Sequence, residues 1–399
     1  MKLAAIHCRI MPGGALEVFK DLIQQELRND PKAEIKAFTM IAEEGTKFLE
    51  VQIPGTETLK NIPIVEALPS WISSIFKYFS RRKVPLFSSL FDYRNLIVFY
   101  PWIMKRLSRK VKKFGPKRIV ISSFAIAKNI AYCHCEGSKG PKQSSEDIDC
   151  HASVPSARND VYVKLYLHSP MQYIWSHRDE YLAKFSGRKK KLFSFLVPHL
   201  QTWDKKFTHF DEVQFNSKYT QSLAKKIYGI KGKVVYPKIK DSFYYAGVQP
   251  NPQPYFVCVG RLVTFVRECD VIIKAFNQLQ LPLLMIGSGP DEAYLKSLAG
   301  DSIIFLGRLP SEETAKVVKD ASALINLTKE SFGIGTVEAL LMGVPVIGYA
   351  GGATPELVDE ESGILIEKKT IKNLVAAVEE FQGRTWERKQ ISESIRKKL

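Results

Sequence analysis

Long apolar runs are missing from this 399-residue chain. The longest, Leu96 to Met104, is too short to cross a bilayer, so no transmembrane helix is read from it. Cysteine is scarce: six residues without regular spacing do not suggest a disulfide framework. Internal repeats and low-complexity tracts are not evident. The apolar start of the chain stops early, at Arg9, and meets Pro12, Gly13 and Gly14. That pattern fits a first buried strand entering a glycine turn better than a secretion signal. A cytoplasmic location is therefore expected.

What remains is a folded, soluble composition, with 45% hydrophobic and 25% charged residues, and length enough for two domains that each bury a core. The formal net charge of +17 is unevenly spread. Between Pro69 and Arg118 there are 13 Lys or Arg residues and a single acid, Asp92. They interleave with Trp71, Phe76, Tyr78, Phe79, Phe87, Phe91, Phe99, Tyr100 and Trp102. Basic side chains beside exposed aromatics suit an anionic membrane surface. The alternative is that the rings are core and the lysines a solvated face. A second cluster, Arg188 to Lys191 followed by LFSFLVPHL, has the same character. Nucleic acid also attracts positive charge, but no recognisable nucleic-acid motif accompanies it, and no nucleic-acid partner is expected.

Short apolar runs alternate with amphipathic helical patterns, the signature of βα units around a parallel sheet. Expected strands are Leu3 to His7, Arg118 to Ser122, Val161 to His168, Glu212 to Asn216 and Lys233 to Tyr236. The Pro- and Asn-containing stretch Gly247 to Pro254 then marks a boundary, dividing residues 1–246 from 247–399. Beyond it, strands are expected at Tyr255 to Val259, Leu283 to Ile286, Ser302 to Leu306, Ala323 to Asn326, Val346 to Tyr349 and Gly363 to Leu365. The expected fold class is α/β, with two doubly wound sheets facing each other across a cleft and ligands bound beyond the carboxyl ends of the strands.

The strongest local signal runs from Lys329 to Val358, KESFGIGTVEALLMGVPVIGYAGGATPELV. An apolar strand, a glycine-bearing loop from Glu330 to Gly335 and a helix from Thr336 follow in succession. Such an order builds a site for an anionic group, because unpaired N–H groups and the helix dipole point at it. Gly333 and Gly335 let the backbone approach closely. An ordinary βα turn with a capped helix would give the same local pattern.

The spacing of Glu330 and Glu338 resembles the E-x7-E signature of retaining glycosyltransferases of the GT-B fold, family 4. Gly343, Pro345 and the GGATPELV segment match the same family's continuation. The resemblance implies that Glu330 contacts the donor sugar, Glu338 the nucleotide ribose, and the amides of Phe332, Gly333, Ile334, Gly335 and Thr336 the diphosphate. Gly260-Arg261-Leu262 is similar to the family's G-R-L, whose arginine neutralises the donor diphosphate. The usual following lysine is replaced within VTFVRECD, where Arg267 is the nearest substitute. Gly287 and Gly289, in IGSGPDEAYL, resemble the family's G-x-G-P turn near the base, and FLGRLP the next strand and loop. Gly13 and Gly14 resemble its first-domain glycine loop.

YLHSPMQYIWSHRDEYL is similar to the Y-C-H-T-P-x-R-Y-x-W motif of a bacterial mannosyltransferase-like branch. There His168 would orient the donor sugar or contact the acceptor, while Gln172 and Ser176 depart from the pattern. The resemblance thus implies transfer of mannose or a similar hexose from a nucleoside-diphosphate sugar, such as GDP-mannose, with retention. The acceptor would be a glycolipid or surface polysaccharide, and the protein peripheral on the inner face of the cell membrane. Cationic side chains would do the neutralising, so no essential divalent ion or cofactor is expected. Two rivals are a nucleotide-sugar epimerase of the same fold and a non-catalytic, membrane-associated relative. Cys133, Cys135, Cys150 and His151 flank a polar insert and form a weak zinc candidate, since C-x-C is not the usual knuckle spacing.

Overall fold

Short buried runs bounded by glycine turns form the strands of two largely parallel sheets. The computed structural model describes residues 1–11, 13–43, 45–81, 93–130, 161–245, 247 and 253–399. Among these, the first sheet has strands β1 (Lys2–Ile10), β2 (Glu34–Ala42), β3 (Phe48–Gln52), β4 (Leu59–Glu66), β5 (Arg118–Ser123), β6 (Tyr162–Leu167), β7 (Glu212–Phe215) and β8 (Lys233–Val234). Their order is β3-β4-β2-β1-β5-β6-β7-β8, and β3 pairs antiparallel with β4. The second sheet has β9 (Phe256–Val259), β10 (Leu283–Ile286), β11 (Ile303–Gly307), β12 (Ala323–Asn326), β13 (Val346–Tyr349) and β14 (Gly363–Ile366), in the order β11-β10-β9-β12-β13-β14.

Both orders contain a reversal. From β1 the chain builds outward through β2 and then returns to β5 on the other side; from β9 it builds through β10 and returns to β12. In open α/β sheets such a switch point leaves a crevice beyond the carboxyl ends of the two strands, where ligands bind. The residues after β1, β5, β9 and β12 are therefore the places to look for chemistry. Helices cover the sheets, so the central strands are near-continuous apolar runs, as Leu3–Ile6 shows at 0% exposure.

The chain divides into one unit of Met1–Phe215 with Leu223–Lys233 and another of Asn216–Ser222 with Val234–Leu399. The last change of unit along the chain falls at 233/234. The reason is packing: Tyr236, Ile239 and Phe243 join the second unit's core. Within the second unit the helix Arg388–Lys398 buries Ile391 and Ile395 in that core, and Ser392 donates to the Leu341 carbonyl at 2.6 Å.

The first unit contains a fully buried polar cluster. Lys128 and Asp204 are both at 0% side-chain exposure and 3.1 Å apart. Asp204 also accepts from Asn129 Nδ2 at 2.7 Å, Trp175 Nε1 at 2.8 Å and Tyr228 OH at 2.6 Å. The ammonium lies 4.1 Å from the centre of the Tyr228 ring. Each partner is satisfied, so removal of one strands the others in a dry interior. Asp204→Ala is expected to destabilise the first unit by about 3–5 kcal/mol, read from denaturant unfolding. A loss below about 1 kcal/mol would mean that water reaches the cluster.

Candidate functional site

In the second unit β9 ends at Val259 and the backbone turns at Gly260, with φ 144°. A side chain here would collide with Arg267, whose Nη1 lies 2.2 Å from where a Cβ would sit. Gly287, after β10, is confined by backbone, which cannot swing aside: its added Cβ would fall 1.8 Å from the Gly260 carbonyl oxygen. Glycine at both places lets two backbones and a guanidinium share space that no other residue leaves open.

Arg267 occupies a strained loop. Its neighbours Val266 and Glu268 have φ of 74° and 53°, a conformation that a β-branched valine resists. The surrounding structure holds it. Thr264 donates to Asp291 Oδ2 through its N–H at 2.8 Å and its hydroxyl at 2.9 Å, and Glu268 pairs with Lys369 at 3.3 Å. The outcome is that Arg267 Nη2 reaches Glu330 Oε1 at 3.6 Å. The sequence left open whether this arginine reaches the site; the loop delivers it to the first glutamate of the E-x7-E pair. Arg261, exposed, shares with Gly260, Arg267, Asn326 and Thr328 a small crevice.

Glu330 follows β12 and is fixed through its backbone. It forms an isolated bridge with Gly352, and its carbonyl accepts from Ala353 N at 2.9 Å. Gly333 then opens the helix Ile334–Leu341, two residues earlier than the sequence suggests, so Ile334, Gly335 and Thr336 form its first turn. The first N–H groups of a helix have no intrahelical partner, which makes this end a site for an anion. Thr336 Oγ1 accepts from Asn326 Nδ2 at 3.0 Å, and Thr328 N donates to Asn326 Oδ1 at 3.1 Å, tying strand end to helix start.

The side chain of Phe332 is core: 3% exposed, it stacks on Tyr236 with centroids 5.7 Å apart. Glu338 lies one turn into the helix, and burial pushes its carboxyl up to about 7 against the opposing pull of Lys240. Gly289 closes on the Leu262 carbonyl, so it serves the same tight backbone packing as Gly287. Several residues that hold the loop carry no local signal. Ser217 Oγ and Thr220 Oγ1 donate to the Ser331 carbonyl at 2.5 and 3.2 Å. Glu356 accepts from Lys218 N, Tyr219 N and Tyr236 OH.

Gly13, Gly14 and His168 belong to the first unit. Gly13 accepts from Leu16 N at 3.0 Å and starts the helix Gly14–Asn29 just past β1. His168, after β6, is 8% exposed with Nε2 2.8 Å from Ser122 Oγ, and burial lowers its pKa to about 3. It is therefore neutral and fixed by a neighbour. His7, unremarked in the sequence, lies on the other side of Ser122. Cys133, Cys135, Cys150 and His151 lie outside the described residues.

Residues 246–398, which contain the second unit's sheet, match the family Glycosyl transferases group 1. N-acetyl-alpha-D-glucosaminyl L-malate synthase of Bacillus anthracis is 30% identical over 112 residues, 26% of this chain and 29% of its own length. A GDP-mannose-dependent alpha-mannosyltransferase of Corynebacterium glutamicum is 28% identical over 125 residues, 31% of this chain and 30% of its own. These matches span about three tenths of each relative. The sucrose-phosphate synthase structure from Thermosynechococcus elongatus covers 100% of this chain and 93% of its own, with a TM-score of 0.67 at 15% identity. The fold is GT-B, with two Rossmann-like α/β domains.

Glu338 makes stability depend on pH. Its carboxyl titrates near 7 in the fold against 4.5 when unperturbed, so the folded state holds the extra proton between those values. Its contribution is fully present below about 4.5 and is lost as pH rises through about 7. Glu338→Gln, which keeps the uncharged shape, should melt higher than the parent at pH 8 and alike at pH 4. Parallel melting curves across that range would show the carboxyl to be solvated.

Proposed function

We propose that the protein is a nucleotide-sugar-dependent glycosyltransferase that moves mannose or a similar hexose to a hydroxyl of a glycolipid or surface-polysaccharide acceptor, with retention. The observation that carries this is the meeting of Arg267 with Glu330 at 3.6 Å beside an open helix N-terminus, at the strand-order reversal of a glycosyl transferases group 1 domain. When the bond between the anomeric carbon and the diphosphate oxygen breaks, negative charge grows on the leaving oxygen. Arg261, Arg267 and the amides of Ile334 to Thr336 would stabilise it without reorganising. In the free protein Glu330 occupies the guanidinium of Arg267, so a diphosphate has to displace or share that contact. Glu338 would meet the ribose and Glu330 the sugar. Because arginines supply the positive charge, the proposed reaction calls for no divalent ion. The name of the Corynebacterium relative favours GDP-mannose as donor.

The first unit supports a membrane-bound acceptor. Trp71 is 65% exposed, Phe99 56% and Trp102 47%, and on the helix Gly187–Lys205 Leu192 is 58% and Phe195 66% exposed. Tyr100, between the first group, is buried, so the region divides its rings between core and surface. Exposed rings beside lysines and arginines fit an anionic inner leaflet.

Purified protein screened against GDP- and UDP-sugars should be thermally stabilised by its donor and release nucleoside diphosphate in step with acceptor glycosylation. Glu330→Ala and Arg267→Ala are each expected to lower kcat by about 10²–10³; unchanged turnover in both sinks the assignment. Sugar interconversion without acceptor would favour an epimerase instead. On vesicles, binding should require anionic lipid and fall when Trp71 and Trp102 are replaced by serine. Equal binding to neutral vesicles, or none to either, would remove the membrane from the proposal.

A further inference from the structure

Ser122, at the carboxyl end of β5, lies between two imidazoles. His7 Nδ1 is 3.0 Å from its Oγ and 3.1 Å from its carbonyl oxygen, and His168 Nε2 is 2.8 Å from the same Oγ. The three residues are 1%, 0% and 8% exposed. A hydroxyl in this position can pass its hydrogen bond either way along the row. The Ser122 carbonyl decides the direction. A carbonyl oxygen only accepts, so His7 Nδ1 must carry the proton, shared between carbonyl and Oγ; a bare Nδ1 would set lone pair against lone pair. The Ser122 O–H then has His168 Nε2 as its acceptor. A neutral imidazole holds one proton, and for His168 that proton is left on Nδ1.

Both rings are held neutral. Burial lowers His7 to about 4, against the hydrogen bond to the Ser122 carbonyl, and lowers His168 to about 3, with His7 at 6.4 Å adding to that shift. Phe19 stacks on His7 at 4.8 Å and Tyr166 meets His168 edge-on at 5.0 Å, which fixes the ring planes.

We propose that His7 and Ser122 are positioning residues that lock neutral His168 in the tautomer protonated on Nδ1, so that it meets a substrate oxygen as a hydrogen-bond donor and not as a base. The locked tautomer stands on the geometry alone; the identity of that oxygen, an acceptor or donor-sugar hydroxyl, rests on the proposed transfer reaction.

The test uses the full chain labelled with ¹⁵N-histidine, the His168 signals being assigned by their loss in His168→Asn. Nitrogen shifts and ring couplings at pH 7 should place the His168 proton on Nδ1, and the pattern should stay unchanged from pH 5 to 8. Protonation on Nε2, or a titration inside that range, overturns the proposal, and this measurement needs neither a variant nor turnover. In Ser122→Ala the His168 signals should shift toward a mixture of tautomers, with kcat about tenfold lower, the effect of about 1.4 kcal/mol, and KM little changed. A Ser122→Ala protein with the parent tautomer and parent kcat also overturns it. If the protein transfers no sugar but His168 carries its proton on Nδ1, the proposed function fails while the lock stands.

Discussion

The contact between Arg267 and Glu330 depends on how closely backbone can approach backbone. Gly287 leaves room for the Gly260 carbonyl, Gly260 leaves room for the guanidinium, and the guanidinium then reaches the carboxylate beyond β12. A methyl group at either glycine would push this stack apart. The strained φ values at Val266 and Glu268 are the counterpart of that closeness. A loop relaxed into ordinary geometry would not bring the arginine over Gly260, and strain of this kind, about 1–3 kcal/mol per residue, persists only where the surroundings over-determine it. Asp291 and Lys369 supply that determination from two other segments, one gripping Thr264 and the other Glu268.

The two units hold their polar groups by opposite means. In the second, Arg267 and Glu330 are 30% and 25% exposed, so their attraction is screened. In the first, the switch point is dry. His7, Ser122 and His168 are neutral, and direction is imposed by one carbonyl oxygen rather than by charge. A partly exposed ion pair can be re-partnered at little cost, which suits the charged leaving group of the proposed reaction. A buried neutral row cannot, which suits a group whose hydrogen must always point the same way.

The parts of the fold legible in the sequence are those specified locally. Strands β10, β12 and β13 begin and end where expected, because each is a four-residue buried run closed by turn residues. The strands β2, β3 and β4 went unread. β3 alternates buried and exposed residues and sits with β4 at a sheet edge, antiparallel to the βα pattern around it. Glu330 and Glu338 were visible through their spacing, and the placement of Arg267 was not, since neither Val266 nor Glu268 is a residue type that signals a left-handed backbone. Ser217, Thr220 and Glu356 act on partners more than 100 residues away, as Ser217 to Ser331 at a separation of 114 illustrates. His7 was hidden because a histidine inside an apolar strand looks the same whether or not it holds a neighbour's tautomer.

The helix Tyr100–Phe114 shows how the remaining apolar surface is to be understood. Tyr100, Ile103, Met104, Leu107 and Val111 follow helical spacing and fill the core, so the fold's own demand is met by one stripe. Trp102 lies off that stripe, and with Val98 and Phe99 just before the helix it faces outward. Fully burying one such side chain is worth about 1.5–3 kcal/mol, and packing inside this unit captures only part of that. A second apolar group, Leu192 and Phe195, is left over in the same way on the helix Gly187–Lys205, whose Phe193, Val197 and Leu200 already serve the core. Two helices of one unit thus carry apolar side chains outside its core, in segments rich in lysine and arginine. On the proposed function, that surplus is what a partner combining an apolar interior with anionic headgroups would take up, and it is the physical reason for proposing a lipid-borne acceptor.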